Sequence, residues 1–122
     1  MRLSTWAATL SISFPLILPS VANLREHWSK RAARAKQHRM LVNLHRPLFR
    51  PLGNDSAVVT ITRLAPRRLD SDNLQGACKA LRDGVADCMG VKDNHPRVTW
   101  VYLQWTSKIP TVRIEVVYVG TA

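Results

Sequence analysis

Cysteine is scarce in this chain. Two cysteines in 122 residues exclude a disulfide-stapled miniprotein and a four-cysteine zinc site. Acids are scarce too: eight Asp and Glu stand against eighteen Lys and Arg, a formal net charge of +10. That balance points to a polyanionic partner, either nucleic acid or an anionic membrane surface. Long apolar runs are missing, because Pro15 and Pro19 cut the one candidate below the roughly 18 to 20 residues of a spanning helix. The four histidines have no metal-ligand spacing, so zinc is not expected. What is present is a chain that is 46% hydrophobic. That is enough for a packed core and one domain over residues 1–122.

Leu10, Ile12 and Phe14 alternate with Ser11 and Ser13, which predicts a half-buried strand over residues 8–17. The same stretch, with Arg2 before it and Ser20-Val21-Ala22 after it, also reads as a secretory signal. The alternation and the two prolines favour the strand. A helix is expected from Asn23, as N-cap, to about Leu44. Its apolar stripe is Leu24, Trp28, Ala32, Ala35 and Val42, beside a basic arc of His27, Lys30, Arg31, Arg34 and His38. Residues 45–56 read as a loop. The β-branched run 57–64 is a second strand. A second helix spans about Asp72 to Met89, with Leu74, Ala77, Cys78, Leu81, Val85 and Cys88 on one stripe and Gly90 ending it. Residues 97–105 and 111–119 are two more strands. The expected fold is α/β (α+β): a small mixed sheet of about four strands with two helices, in the order β-α-β-α-β-β. Cys78 and Cys88 sit about 15 Å apart along their helix at ~1.5 Å per residue. They are buried apolar residues rather than a disulfide, as suits a reducing compartment.

Charge is uneven. Eight of the cations lie between Arg25 and Arg50, where Glu26 is the one acid, and Arg63, Arg67 and Arg68 follow. Asp70, Asp72, Asp83, Asp87 and Asp93 are five of the eight acids and fall within one short stretch. On a helical wheel Asp72, Lys79 and Asp83 lie within about 40° of one another, opposite the apolar stripe. Asp93 reaches the same place if the third strand lies beside the second. Helix capping accounts for Asp72, with Gln75 three residues on. It does not account for Asp70, Lys79 and Asp93 together. An EF-hand is excluded, because counting from Asp70 puts Leu74, Gln75 and Leu81 where a ligand, Gly and Glu are needed. Carboxylates among cations match metal-assisted phosphodiester cleavage. Hard oxygens hold Mg²⁺, and the cations are needed to bring the polyanion to them. A lysine stabilises the charge that develops at phosphorus.

Three segments carry a resemblance: Asp70-Ser71-Asp72-Asn73-Leu74, Lys79-Ala80-Leu81-Arg82-Asp83-Gly84 and Gly90-Val91-Lys92-Asp93. With Asn23-Leu24-Arg25-Glu26-His27-Trp28 and Val112-Arg113-Ile114-Glu115, they make the chain similar, over nearly its whole length, to the RusA family of Holliday junction resolvases. Its shorter phage and prophage members are the most alike. The resemblance implies a homodimer in the bacterial cytoplasm that nicks four-way DNA junctions on two strands with Mg²⁺. By matching motif, Asp70, Asp72 and Asp93 are implied to hold the metal and Lys79 to be the catalytic lysine. The basic residues Lys30, Arg31, Arg34, Arg67 and Arg68, with His27, are expected to bind phosphates. Two positions depart from the pattern. Some members place the lysine four residues after the second Asp, where this chain has Gly76. An acid usually precedes Asp93, where this chain has Lys92.

Two other readings use the same residues. A non-catalytic protein that binds DNA junctions would keep the basic ridge and use the acids as caps and loop residues. A secreted cationic protein acting on membranes would need the N-terminal segment to be a signal. Lys92, where an acid is usual, is the feature that keeps the non-catalytic binder open against the resolvase.

Overall fold

The computed structural model describes residues 5–20 and 27–121. Strands β1 (Thr5–Pro15), β2 (Ser56–Ala65), β3 (Val98–Thr106) and β4 (Thr111–Thr121) form one sheet in the order β1-β4-β2-β3. Helices α1 (Trp28–Asn43) and α2 (Ser71–Met89) complete the expected β-α-β-α-β-β order, with a short 3-10 turn at Arg46–Leu48. This is a mixed α+β fold. β4 runs antiparallel to both β1 and β2, whereas β2 and β3 are parallel. Parallel neighbours need a crossover, and α2 supplies it. The carboxyl ends of β2 and β3 therefore lie together at the head of α2, the place where open α/β sheets usually build sites.

The apolar N-terminal stretch is a sheet strand. Thr5 pairs with Thr121 at one end and Pro15 with Thr111 at the other. Alternate residues of β2 and β4 (Ala57, Val59, Ile61, and Val112, Ile114, Val116, Tyr118) are buried in the core with the whole predicted stripe of α2. Cys78 and Cys88 are both buried and free, and burial pushes the Cys78 thiol up to about 12.

Helix α1 departs from expectation. Of its predicted stripe only Val42 faces the core among the described residues: Trp28 is 73% exposed and Ala32 and Ala35 are exposed as well. The buried residues are His38 and Val42. Geometry at the crossing explains this. A Cβ on Gly84 of α2 would stand 2.8 Å from Val42 Cβ and 3.0 Å from the Arg39 carbonyl oxygen. The glycine thus lets the two backbones meet at the C-terminal half of α1 and leaves the N-terminal half in solvent. The bidentate pair of Arg39 with Asp87, at 2.6 and 2.7 Å, closes the rim of this crossing. The N-cap is His27, whose Nδ1 accepts from the Ser29 N–H; the expected cap Asn23 and stripe residue Leu24 lie outside the described residues. Among the described residues no helix is long and apolar enough to cross a membrane.

Candidate functional site

The head of α2 is fixed by its own sequence. Asp70 is the N-cap, not Asp72 as the capping pattern suggested. Its Oδ1 accepts from the Asn73 N–H at 2.9 Å and its Oδ2 from Asn73 Nδ2 at 3.0 Å. Asp72 sits in the first turn, exposed, where a carboxylate is favoured by the helix dipole. The loop before them is tied down from two sides. Gln104 on β3 accepts from the Leu69 N–H at 3.0 Å and donates to the Leu69 carbonyl at 2.7 Å. The buried Arg63 guanidinium donates to the Arg67 carbonyl at 2.7 Å and to the Leu18 carbonyl at 3.1 Å. Arg67 and Arg68 are exposed on this loop. At the other end of α2, Gly90 stands at φ 71°, the left-handed cap expected of it.

That left-handed turn sends the chain back along α2, and the return brings Asp93 to Lys79. Lys79 Nζ donates to Asp93 Oδ2 at 2.8 Å and to Asp83 Oδ1 at 2.7 Å. Arg82 Nε is ion-paired with the same Asp93 oxygen at 3.3 Å. The Asp93 carbonyl accepts from Arg82 Nη2 and from Trp100 Nε1, each at 2.8 Å. The hydrogen bond from Lys79, and the charges of Lys79 and Arg82, hold the Asp93 carboxyl below the usual carboxylate range. The bonds to Asp83 and Asp93 push the Lys79 ammonium up in turn. Lys79 is therefore a fixed positive charge at neutral pH and not a base.

Across from Lys79 lies a groove of about 210 Å³ between the helices, lined by Arg31, Arg34 and His38 of α1 and Gly76, Lys79 and Asp83 of α2. Two expected phosphate-binding residues, Arg31 and Arg34, thus share a groove with the expected catalytic lysine. Lys30 is exposed one position before them. His38 is buried, and desolvation first, then the Arg34 charge, lowers its pKa. Its imidazole stays neutral among cations. A Cβ on Gly76 would meet nothing within 4 Å, so the position where some RusA members carry the lysine is open space here.

The expected site residues fall into two groups. Lys79, Asp83 and Asp93 form one; Asp70, Asp72, Arg67 and Arg68 form the other at the head of the helix. The lysine lies seven residues beyond Asp72, about 10 Å along the axis at ~1.5 Å per residue. Among the described residues no group of three or more His, Cys, Asp or Glu is arranged to hold a metal ion. Asp70, Asp72 and Asp93 therefore do not make a ready three-carboxylate cage. Mg²⁺ usually takes only one or two carboxylates, together with substrate phosphates and waters; the acids at the head of α2 are Asp70, whose two oxygens accept from Asn73, and the exposed Asp72. Sequence reasoning missed Arg82, Gln104 and Arg63. Arg82 sits beside Asp83 in the resembling segment, and its i,i+3 spacing from Lys79, which puts the two cations on one side of the helix, was the available signal. No protein-family model matches the chain, and no curated protein matches it.

Proposed function

We propose that the chain is a Holliday junction resolvase. It would be a homodimeric, Mg²⁺-dependent endodeoxyribonuclease that cuts four-way DNA junctions by paired phosphodiester hydrolysis during recombination or repair. Its place would be the cytoplasm of a bacterial host, with a phage or prophage origin. The observation that carries this reading is Lys79, held by Asp83 and Asp93 in a groove shared with Arg31 and Arg34. Two carboxylates hold the ammonium of this lysine in one orientation at the rim of the groove. It therefore presents a set positive charge to a phosphate brought in by the arginines.

The residues divide the work. Lys30, Arg31, Arg34, Arg67 and Arg68 contact phosphates and carry no base information. Asp70 and Asp72 hold the metal at the head of α2. When bound, Mg²⁺ neutralises charge at the phosphate and lowers the pKa of a coordinated water. Asp93, engaged by Lys79 and Arg82, acts as the anchor of the lysine rather than as a third ligand. Two copies related by a two-fold axis match the symmetry of a four-way junction and give one nick on each of two strands.

The second reading, a junction-binding protein without catalysis, is favoured by one observation: the cations Lys79 and Arg82 already neutralise Asp93. One assay separates the two. A labelled four-way junction and a matched linear duplex are incubated with Mg²⁺ or with EDTA, with wild type and Asp72→Asn. Paired nicks in the junction alone, dependent on Mg²⁺ and lost in the variant, support the resolvase. Tight junction binding with no cleavage in any divalent metal supports the binder, and Lys92→Asp is then the variant to make.

A further inference from the structure

A cleft of about 740 Å³ opens between the head of α2 and the end of β3. Asp70, Ser71 and Gln75 line it from the helix, Tyr102 and Trp105 from the strand, and Arg68 from the loop. Its walls are held by specific bonds. Gln104 fastens the Leu69 backbone to β3 from both sides, and Arg82 Nη1 donates to the Tyr102 hydroxyl at 3.0 Å. Trp105 is different: at the end of an edge strand, it leaves 64% of its surface in water. A large aromatic surface in water beside exposed arginines, on a chain of net charge +10, has the two features of a single-strand platform. One is a π-face for a base, the other cations for its backbone.

We propose that this cleft takes one unpaired nucleobase, stacked on Trp105, and that the chain separates branched or single-stranded DNA from continuous duplex by this contact. The proposal rests on the DNA reading above and deepens it. Inside a duplex both faces of each base are covered by its neighbours, so Trp105 has nothing to stack on. At a branch point or on a single strand a face is free. Stacking tolerates any base, because every base has a π-face. The exposed hydroxyl of Ser71 and amide of Gln75 provide hydrogen-bonding groups for a base edge, and Arg67 and Arg68 provide positive charge for the flanking phosphates. The cleft adjoins Asp70, so a base held here places the neighbouring phosphodiester at the carboxylates of the α2 head.

The test is fluorescence anisotropy in EDTA with the full chain. The probes are a labelled oligo-dT, a four-way junction and a continuous duplex. The proteins are wild type, Trp105→Ala and Trp105→Phe, with oligomeric state followed by light scattering. Trp105→Ala is expected to weaken binding of the single strand and the junction by about tenfold, in line with one lost stack. Duplex binding is expected to change by less than about twofold, and Trp105→Phe to recover most of the loss. An equal loss on all three DNAs, no loss on any, or a loss accompanied by a changed oligomeric state overturns the proposal. If wild type binds none of the three DNAs, the DNA reading fails with it. If wild type binds the junction and Trp105→Ala binds it as wild type does, the stacking contact alone is wrong.

Discussion

Lys79 Nζ lies 2.8 Å from Asp93 Oδ2, a bond that joins the middle of α2 to the loop beyond the end of the same helix. Asp83 shares the ammonium at 2.7 Å. Removing the lysine takes away the fixed charge and little else, because its side chain is more than half exposed. Lys79→Met is expected to lower junction cleavage by about 100-fold or more, the usual cost of losing one electrostatic donor. Its melting temperature should stay near wild type. Single-turnover cleavage and a thermal melt on the same sample check this, and cleavage at the wild-type rate would remove Lys79 from the chemistry.

Asp93→Asn probes the anchor. The variant keeps the backbone carbonyl that accepts from Arg82 and Trp100 but loses the charge that holds the lysine. Cleavage is expected to fall, and metal affinity, measured by calorimetry with Mg²⁺, to stay the same. A large loss of Mg²⁺ affinity would return Asp93 to the ligand set.

Two glycines of α2 should respond oppositely to the same change. At Gly84 an added Cβ collides with Val42 Cβ and the Arg39 carbonyl. Gly84→Ala is therefore expected to cost about 1–3 kcal/mol by overpacking, despite the better helix propensity of alanine. At Gly76 the space is open, and Gly76→Ala is expected to stabilise by about 0.5–1 kcal/mol. Urea unfolding of the two variants beside wild type decides both.

Acid should loosen the molecule in two stages. His38 has a folded pKa below its ordinary value, so the unfolded chain takes up its proton first as pH falls. Stability present above about pH 6.5, the unperturbed histidine value, is lost as pH drops toward the folded value. His38→Gln should flatten that segment of the curve. Asp87 and Asp93 have folded values held down by Arg39 and Lys79 respectively. Their contribution is complete above the ordinary carboxylate range and disappears as pH falls through the lowered values. Arg39→Ala should remove the Asp87 part, about 1 kcal/mol or less because the arginine is half exposed. Urea midpoints at pH steps from 3 to 8 separate the two stages.

Helix α2 was legible from sequence because its signals agree: a continuous apolar stripe, an acid–Asn head and a glycine tail. The strands were legible from β-branched alternation. The partner of each strand was not, since β3 is followed at once by β4 yet pairs with β2 alone. On α1 the stripe is right at Val42 and wrong at Trp28, Ala32 and Ala35, because alanines and a tryptophan at helical spacing look like a core stripe. The actual contact is one close crossing at Val42 and Gly84, which depends on the absence of a side chain. In the candidate site, the meeting of Lys79 with Asp83 and Asp93 follows from the wheel and from β3 lying beside β2. Gln104 and Arg63, which hold the loop before Asp70, act through backbone carbonyl and amide groups and leave no pattern in the sequence.

The pairing of β1 with β4 sets the order in which the molecule can assemble. Thr5 finds its partner at Thr121 and Pro15 at Thr111, so every rung of that ladder closes a loop of about a hundred residues. Such closures are slow, because chain entropy is lost before contacts repay it. During synthesis β1 emerges first and has no neighbour until β4 has left the ribosome, and β2 has only β3. The βαβ unit of β2, α2 and β3, whose rungs Ala57–Val98 to Ala65–Thr106 close much shorter loops, can form earlier. The head of α2 can thus take shape before the sheet is complete, and its tie to Leu18 through Arg63 is made only when β1 is secured.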